Sequence, residues 1–403
     1  MCDIFRSLMP FPVSDPLQNT APYAFAEVDK LVSQLKEQGV TPIDFGVGDP
    51  TEPTPEFIRE ALKKGADIHA TAGYPSYIGH KKFLEAAAGY MERRFGVELD
   101  PATEITSNIG AKEAVFHFSF GHLNAGDLVI IPTPGYPPMR TGTRFCRAEI
   151  YSVGLFEEND FLIDYKNIPE DIADRAKILW LNYPNSPTGK TASLEWYRGL
   201  VEWAQKHNII LACDEGCYID IYFHGEKPHS ILEVTKKGVI CFYSLSKRNN
   251  MTGYRVGFLC GDSELIATFK KVKTNIDSGT PNFVQEAAIA ALQNDDHVET
   301  MRQAYQKKQD ILLSALEKAG LPKAKIDATF YIWQKAPAGM TGVELAKKLL
   351  SPEIGIVTTP GAWISEEDTR TGKNPGENYI RFALVASLAE VEEAAKRLEG
   401  LRL

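Results

Sequence analysis

Seven short apolar runs, separated by stretches of helical period, occupy the middle of this 403-residue chain and restrict its fold more than any other feature. They are Glu104–Ser107, Leu128–Ile131, Ile150–Val153, Lys177–Leu181, Ile209–Cys213, Val239–Tyr243 and Val256–Cys260. Runs of that length are strands, whereas Ala111–His122 and Leu194–His207 between them carry apolar residues three and four apart, as helices do. Strand and helix in alternation imply an α/β fold with a mainly parallel, seven-stranded sheet between helices. Ligands of such sheets sit beyond the carboxyl ends of the strands.

After Asp262 the pattern changes. Ser263–Lys273 and Phe283–Ala319 read as long helices, and then come a strand-like Thr329–Gln334, a helix at Gly342–Leu350, a strand-like Tyr379–Leu384 and a helix at Leu388–Leu398. This tail forms a smaller α+β layer. Residues 1–50 hold no complete strand–helix unit and end in Pro50, Pro53 and Pro55, so they are expected to pack on the tail and make the small domain discontinuous. At roughly 150 residues per domain the length suits two or three domains. The expected division is an N-terminal arm with part of the small domain (1–50), a large domain (51–285) and a C-terminal small domain (286–403).

The charge balance narrows the partners. Lys and Arg number 44 against 53 Asp and Glu, a net charge of −9. No cationic cluster stands ready for a nucleic-acid backbone or an anionic membrane, so a small molecule is the expected partner. Six cysteines are scattered, at 2, 146, 213, 217, 241 and 260, three of them in strand-like runs where a thiol acts as a small hydrophobe; this suits a reducing cytoplasm. No His or Cys pairs stand at metal-ligand spacing, and no metal is expected. The first residues lack an apolar leader, and no run approaches the roughly 18 apolar residues of a membrane span.

Chemistry concentrates at run ends. One run closes in Ser244-Leu-Ser246-Lys247, with Arg255 eight residues after the lysine. Hydroxyls and a guanidinium suit a phosphate, and a lysine buried beside them suits a Schiff base. Ile210-Leu-Ala-Cys-Asp214 ends another run in a carboxylate, which alone reads equally as a helix cap. Ser107-Asn-Ile-Gly110-Ala111-Lys112 turns from strand into helix, where free N–H groups and a positive dipole end collect. Arg381 interrupts the apolar strand Asn378–Leu384 and needs a partner, structural or bound. Gly46-Val-Gly48-Asp mimics the start of a dinucleotide fingerprint, but its third position is Thr51 and no strand–helix–strand unit follows.

Ser-x-Ser-Lys followed by Gly253-Tyr-Arg255-Val-Gly257 closely resembles the lysine motif of the fold-type-I, class I/II pyridoxal-phosphate aminotransferases, and the likeness extends over essentially the whole chain. It implies pyridoxal 5′-phosphate as cofactor, linked to Lys247, with its phosphate held by Ser244, Arg255 and the backbone at Gly110, Ala111 and Lys112. Asp214 then pairs with the ring nitrogen. Tyr136, in Thr133-Pro-Gly-Tyr136, matches the aromatic that stacks on the ring, though in isolation it reads as well as a loop plug. The family's ring-oxygen tyrosine stands three residues after the aspartate; here Tyr218 stands at four, so either Gly216 absorbs the extra residue or the hydroxyl comes from elsewhere. The turn Asn182-Tyr-Pro-Asn185-Ser186-Pro-Thr-Gly189 resembles the family's asparagine turn and leaves Asn185 and Ser186 both open, with Asn185 preferred. Tyr23, Gly48 and Arg381 match substrate-contacting positions, Arg381 gripping the α-carboxylate.

Ala21–Phe25, Arg93–Pro101, Lys273–Gly279 and Ala328–Trp333 narrow the likeness to diaminopimelate aminotransferases of lysine biosynthesis, the LL type first and the N-succinyl type next. An aspartate-type aminotransferase or a lyase on the same scaffold would use the same lysine and aspartate. The loop Tyr74-Pro-Ser-Tyr77-Ile-Gly79, otherwise a surface turn, resembles one that crosses a two-fold interface, with Tyr74 reaching the neighbour's phosphate. That implies a homodimer with shared sites.

Overall fold

The computed structural model describes residues 11–18, 32, 33, 35–37, 39–223 and 227–401. After a two-residue strand β1 (Ile43–Asp44) come β2 (Ile105–Asn108), β3 (Leu128–Thr133), β4 (Glu149–Gly154), β5 (Ala176–Leu181), β6 (Ile210–Gly216), β7 (Val239–Ser244) and β8 (Gly257–Gly261). Strands β2 to β8 are the seven apolar runs, joined in one sheet in the order β2-β8-β7-β6-β5-β3-β4. All pairings are parallel except those of β8, which runs against both β7 and β2.

Successive residues of these strands serve opposite faces. Leu179, Leu181, Leu211, Cys213, Cys241 and Tyr243 join a core with the helices Lys81–Phe95, Leu194–Lys206 and Asn282–Leu292. Ile178, Trp180, Ala212, Ile240 and Phe242 join another with Ala111–His122 and Ser263–Lys273. Burial on both faces explains why the runs are continuously apolar instead of alternating. Asn108, Leu181, Gly216 and Ser244 end their strands at one edge. Because β8 is reversed, its first residue Gly257 lies there too, paired with both Asn108 and Ser244.

A second layer holds β9 (Tyr331–Lys335), β10 (Ile356–Val357), β11 (Thr359–Pro360) and β12 (Tyr379–Ala383). β12 lies between β11 and β9, antiparallel to both, so that Arg381 faces Trp333 on one side and Thr359 on the other. β1 pairs with β10 of this layer, Ile43 opposite Ile356. Ile43 and Phe45 share a core with Phe330, Ile332, Leu345, Ile380 and Phe382.

Phe283–Ala319, expected as one helix, is two: Asn282–Leu292 and Asp296–Lys318. Gln293-Asn294-Asp295 breaks it. The Asn294 side chain accepts from the Asp296 N–H at 2.9 Å, and the Asp295 carboxylate is drawn off by Arg93 and Arg248. Short polar side chains that bond nearby backbone or distant cations compete with the helix in this way.

Candidate active site

Segments from both layers converge on the shared strand edge. Gly110 caps the helix Ala111–His122 with φ 79°, and no side chain satisfies that helix's first N–H groups. A Cβ at Gly110 would lie 2.1 Å from Arg255 Nη2, so only glycine lets the guanidinium close over the turn. Arg255 is held by the Thr252 carbonyl at 2.6 Å and reaches the Ser246 hydroxyl at 3.4 Å, while Ser244 Oγ donates to Ser246 Oγ at 2.9 Å. Backbone N–H groups, two hydroxyls and a guanidinium around one hollow make an anion cradle. Ser246, whose hydroxyl the spacing also offers to a phosphate, lies between Ser244 and Arg255.

A β-bulge follows Asp214. Between the pairings Cys213–Cys241 and Gly216–Tyr243, β6 advances three residues while β7 advances two. Gly216 lets the chains approach there, since a Cβ would meet the Tyr243 ring at 2.2 Å. The bulge turns the two adjacent carboxylates to different surroundings. Glu215 accepts from Ser230 Oγ at 2.5 Å, Tyr243 Oη at 2.6 Å and the Ile231 N–H at 3.3 Å. Asp214 lies near Cys217 and Tyr136, and its Oδ1 is buried without a partner among the described residues. Burial pushes Asp214 up to about 7, opposed by the Cys217 thiol and reinforced by the Glu215 charge. Burial also pushes Glu215 up to about 7, opposed by its hydroxyl donors. An orphaned carboxylate oxygen of this kind marks a place for a cation or an N–H donor.

Lys247 lies in the single turn Leu245–Arg248 that follows β7. Its neighbour Arg248 anchors that turn, donating to Asp220 at 2.7 Å and to the Ala291 carbonyl at 2.9 Å. Lys247 Nζ donates to the Gly48 carbonyl at 2.5 Å. Burial holds the ammonium below the usual lysine range; Cys217 and Asp49 work against that shift, and Arg255 and Arg381 add to it. A lysine so placed releases its proton more readily and is the better nucleophile.

Arg381 enters from β12. Its Nη2 donates to the Gly46 carbonyl at 2.7 Å and to Thr359 Oγ1 at 3.3 Å, while Nε is buried with no partner among the described residues. No structural carboxylate pairs with it among the described residues, so the salt-bridge alternative lapses. Its guanidinium lies over the Tyr331 ring, 4.6 Å from the centroid. The Tyr218 hydroxyl meets the Tyr331 hydroxyl at 3.1 Å. Nothing in the sequence marks Tyr331 as a site residue; it stands in Ala328–Trp333 as one aromatic of a buried strand.

The remaining candidates divide. Tyr136 is half-buried, and burial raises its hydroxyl pKa, with the Asp214 and Cys217 charges acting in the same sense. Asn185 is fully buried and turned into its own loop: its carbonyl oxygen accepts from the Thr188 hydroxyl at 2.8 Å and the Thr188 N–H at 3.1 Å. Among the described residues its amide reaches only Asn182 Oδ1, at 3.4 Å, so Asn185 acts first as a clamp on the turn, and the adjacent Ser186 is the less committed of the two. Asn182 ties this turn to the floor, donating to the Asp214 carbonyl at 2.6 Å. Tyr74 is 86% exposed, away from any such convergence, and Tyr23 lies outside the described residues.

An anion cradle at one end, an unpaired buried carboxylate in the floor and a depressed lysine between them fit pyridoxal phosphate, which presents a phosphate, a protonated ring nitrogen and an aldehyde. The fold and this donor set define a pyridoxal-phosphate enzyme of fold type I. Residues 40–398 match the family model of aminotransferase class I and II, and the chain belongs to that family. It is a transaminase. Among its relatives is the LL-diaminopimelate aminotransferase of Aquifex aeolicus, 46% identical over 98% of this chain and 100% of that protein. Of solved structures, an aminotransferase from Neisseria meningitidis superposes with a TM-score of 0.89 at 32% identity, covering 97% of this chain and 100% of that one. A probable N-succinyldiaminopimelate aminotransferase from Thermus thermophilus superposes with a TM-score of 0.84 at 32% identity, covering 94% and 100%. Among the described residues no helix is long and apolar enough to cross a membrane, and no cluster of side chains could hold a metal.

Proposed function

We propose that this transaminase moves an amino group between LL-diaminopimelate and 2-oxoglutarate in lysine biosynthesis, one crevice serving both half-reactions in turn. The carrying observation is the 46% identity, end to end, with the Aquifex aeolicus protein of that name. The N-succinyl substrate is the second reading, favoured by the Thermus thermophilus structure at 32% identity.

Bound pyridoxal phosphate supplies a carbonyl carbon that accepts the amino group and a ring that withdraws electrons from the substrate's α-carbon. The chain's own groups do the rest. Ser244, Arg255 and the N–H groups at Gly110, Ala111 and Lys112 hold the phosphate, and Tyr136 covers the ring. Asp214 keeps the ring nitrogen protonated; its orphaned Oδ1 supports this role. Tyr218, with Asn185 or Ser186, would hold the ring oxygen. Lys247 would anchor the cofactor, and its amine would serve as the general base for the proton of the substrate's α-carbon. The buried Nε of Arg381 and its Nη groups offer the fork for the α-carboxylate, with Gly48 and Tyr23 beside the substrate.

The proposal extends to assembly and place. Each site is completed by Tyr74 of a second copy in a homodimer, a reading supported by that residue's 86% exposure. The free thiols of Cys213, Cys241 and Cys260 in the sheet suit the cytoplasm. Division of the chain at 50/51 and 285/286 belongs to the same proposal. The substrate test is glutamate formation by purified protein from 2-oxoglutarate with a donor panel. LL-diaminopimelate should give the highest kcat/KM; preference for the N-succinyl form would overturn the substrate assignment in favour of the second reading.

A further inference from the structure

Four elements meet at Tyr331, which is 4% exposed on β9. Its hydroxyl pairs with that of Tyr218, beyond the β6 bulge, at 3.1 Å. Its ring face carries the Arg381 guanidinium of β12 at 4.6 Å. Its hydroxyl also presses on the segment after β1: a Cβ at Gly48 would lie 2.0 Å from Tyr331 Oη, so a glycine is required there for the phenol to reach Tyr218. The carbonyl of that same Gly48 receives Lys247 Nζ at 2.5 Å.

A phenol has one proton to give. Tyr218 is the only hydrogen-bond partner of the Tyr331 hydroxyl among the described residues. When Tyr331 donates to it, the Tyr218 proton is free to point the other way. On the ring side, a guanidinium stacked on an aromatic face loses rotational freedom at little desolvation cost, because the face satisfies its charge without consuming its N–H groups. The two bonds of Arg381 Nη2 to Gly46 and Thr359 fix one end of the fork, and the ring fixes its plane, leaving Nε and Nη1 as donors without a partner among the described residues.

We infer that Tyr331 is a positioning residue that joins the two halves of the crevice, its hydroxyl directing the Tyr218 proton toward the cofactor's ring oxygen and its ring holding the Arg381 fork in the plane that receives a carboxylate. This rests on the site assignment proposed above and adds a residue to it. One phenol thereby aligns a contact to the cofactor and a contact to the substrate, which come from different layers of the fold.

Two variants separate the functions. Tyr331→Phe keeps the face and loses the hydroxyl. Tyr331→Met keeps most of the volume and loses both. Holoenzyme of each is titrated with pH while its visible absorption is followed, and maleate, an unreactive dicarboxylate, is bound in competition with substrate and by its effect on the spectrum. For Tyr331→Phe the spectral midpoint should rise by about half a pH unit or more, because a weaker donor leaves the ring oxygen more basic, while maleate affinity stays within about twofold. For Tyr331→Met the midpoint should rise similarly and maleate affinity should fall about tenfold, a loss that Phe restores. A Phe variant with an unmoved midpoint overturns the hydroxyl function, and a Met variant that binds maleate like the native enzyme overturns the stacking function; either result refutes the joining role. Tyr331→Phe is isosteric and carries the first arm even if the Met variant fails to fold. If native protein forms no visible band with pyridoxal phosphate, the underlying site assignment fails instead.

Discussion

The cradle at Gly110, Ser244, Ser246 and Arg255 and the floor at Asp214, Lys247 and Arg381 lie in one crevice, yet they are built from opposite materials. The cradle consists of hydroxyls and a guanidinium that already bond one another beside the N–H groups of a helix N-terminus, with no buried charge left alone. The floor holds an ammonium held below its usual range and, without a partner among the described residues, a buried carboxylate oxygen and a guanidinium nitrogen. Pre-satisfied groups cost the folded chain little and bind by shape. Unsatisfied ones destabilise it and gain when ligand arrives. On this account the cradle captures the cofactor and the floor makes it react.

The sharpest way to break the contrast is to exchange effects between the two ends. Lys247→Ala should lower turnover by several orders of magnitude while pyridoxal phosphate, measured by equilibrium dialysis, still binds through the cradle. Loss of binding and activity in equal measure would erase the distinction. Asp214→Ala should cost about 100-fold or more in kcat with a much smaller change in cofactor affinity; activity within about tenfold of native would reduce the carboxylate to a cap. Arg381→Lys should raise KM for donor and acceptor alike, by about tenfold each, since both present an α-carboxylate to the same fork. An effect on one half-reaction alone would assign Arg381 to a distal group.

The smallest effect is the most diagnostic of the floor's electrostatics. Asp214 and Glu215 titrate near 7 in the cofactor-free fold, against about 4 in an unfolded chain. Between those limits the folded state carries the additional protons, so the contribution of these groups to stability falls as pH rises from about 4 to 7. Cofactor-free Asp214→Asn should therefore melt a few degrees above native protein at pH 8, and the gap should close at pH 5. A gap independent of pH would mean that the native carboxylate is not carrying an uncompensated charge.

The two ends also differ in how far the sequence disclosed them. The cradle is local: Ser244, Ser246 and Arg255 fall within twelve residues, and the glycine turn into Ala111–His122 follows a strand. Spacing alone carries such a motif. The seven apolar runs likewise became the seven strands of the sheet, because burial on both faces leaves a continuous signal. The floor is assembled across the chain. Tyr331 lies 113 residues from Tyr218, and in sequence it reads as one more aromatic in a buried strand; nothing local marks a phenol that will meet Gly48, Tyr218 and Arg381. The extra residue between Asp214 and Tyr218 is visible in the spacing, but the bulge ahead of Gly216 depends on the register of β6 against β7. Asn185, preferred on resemblance, is held inward by Thr188, a contact its own loop closes only once folded.

The central claim is that the lysine between cradle and floor is the point of covalent attachment. Borohydride reduction of native protein loaded with pyridoxal phosphate, followed by tryptic digestion and mass spectrometry, reads that attachment directly. The account predicts one phosphopyridoxyl group per chain, on Lys247; the label on any other lysine would contradict it.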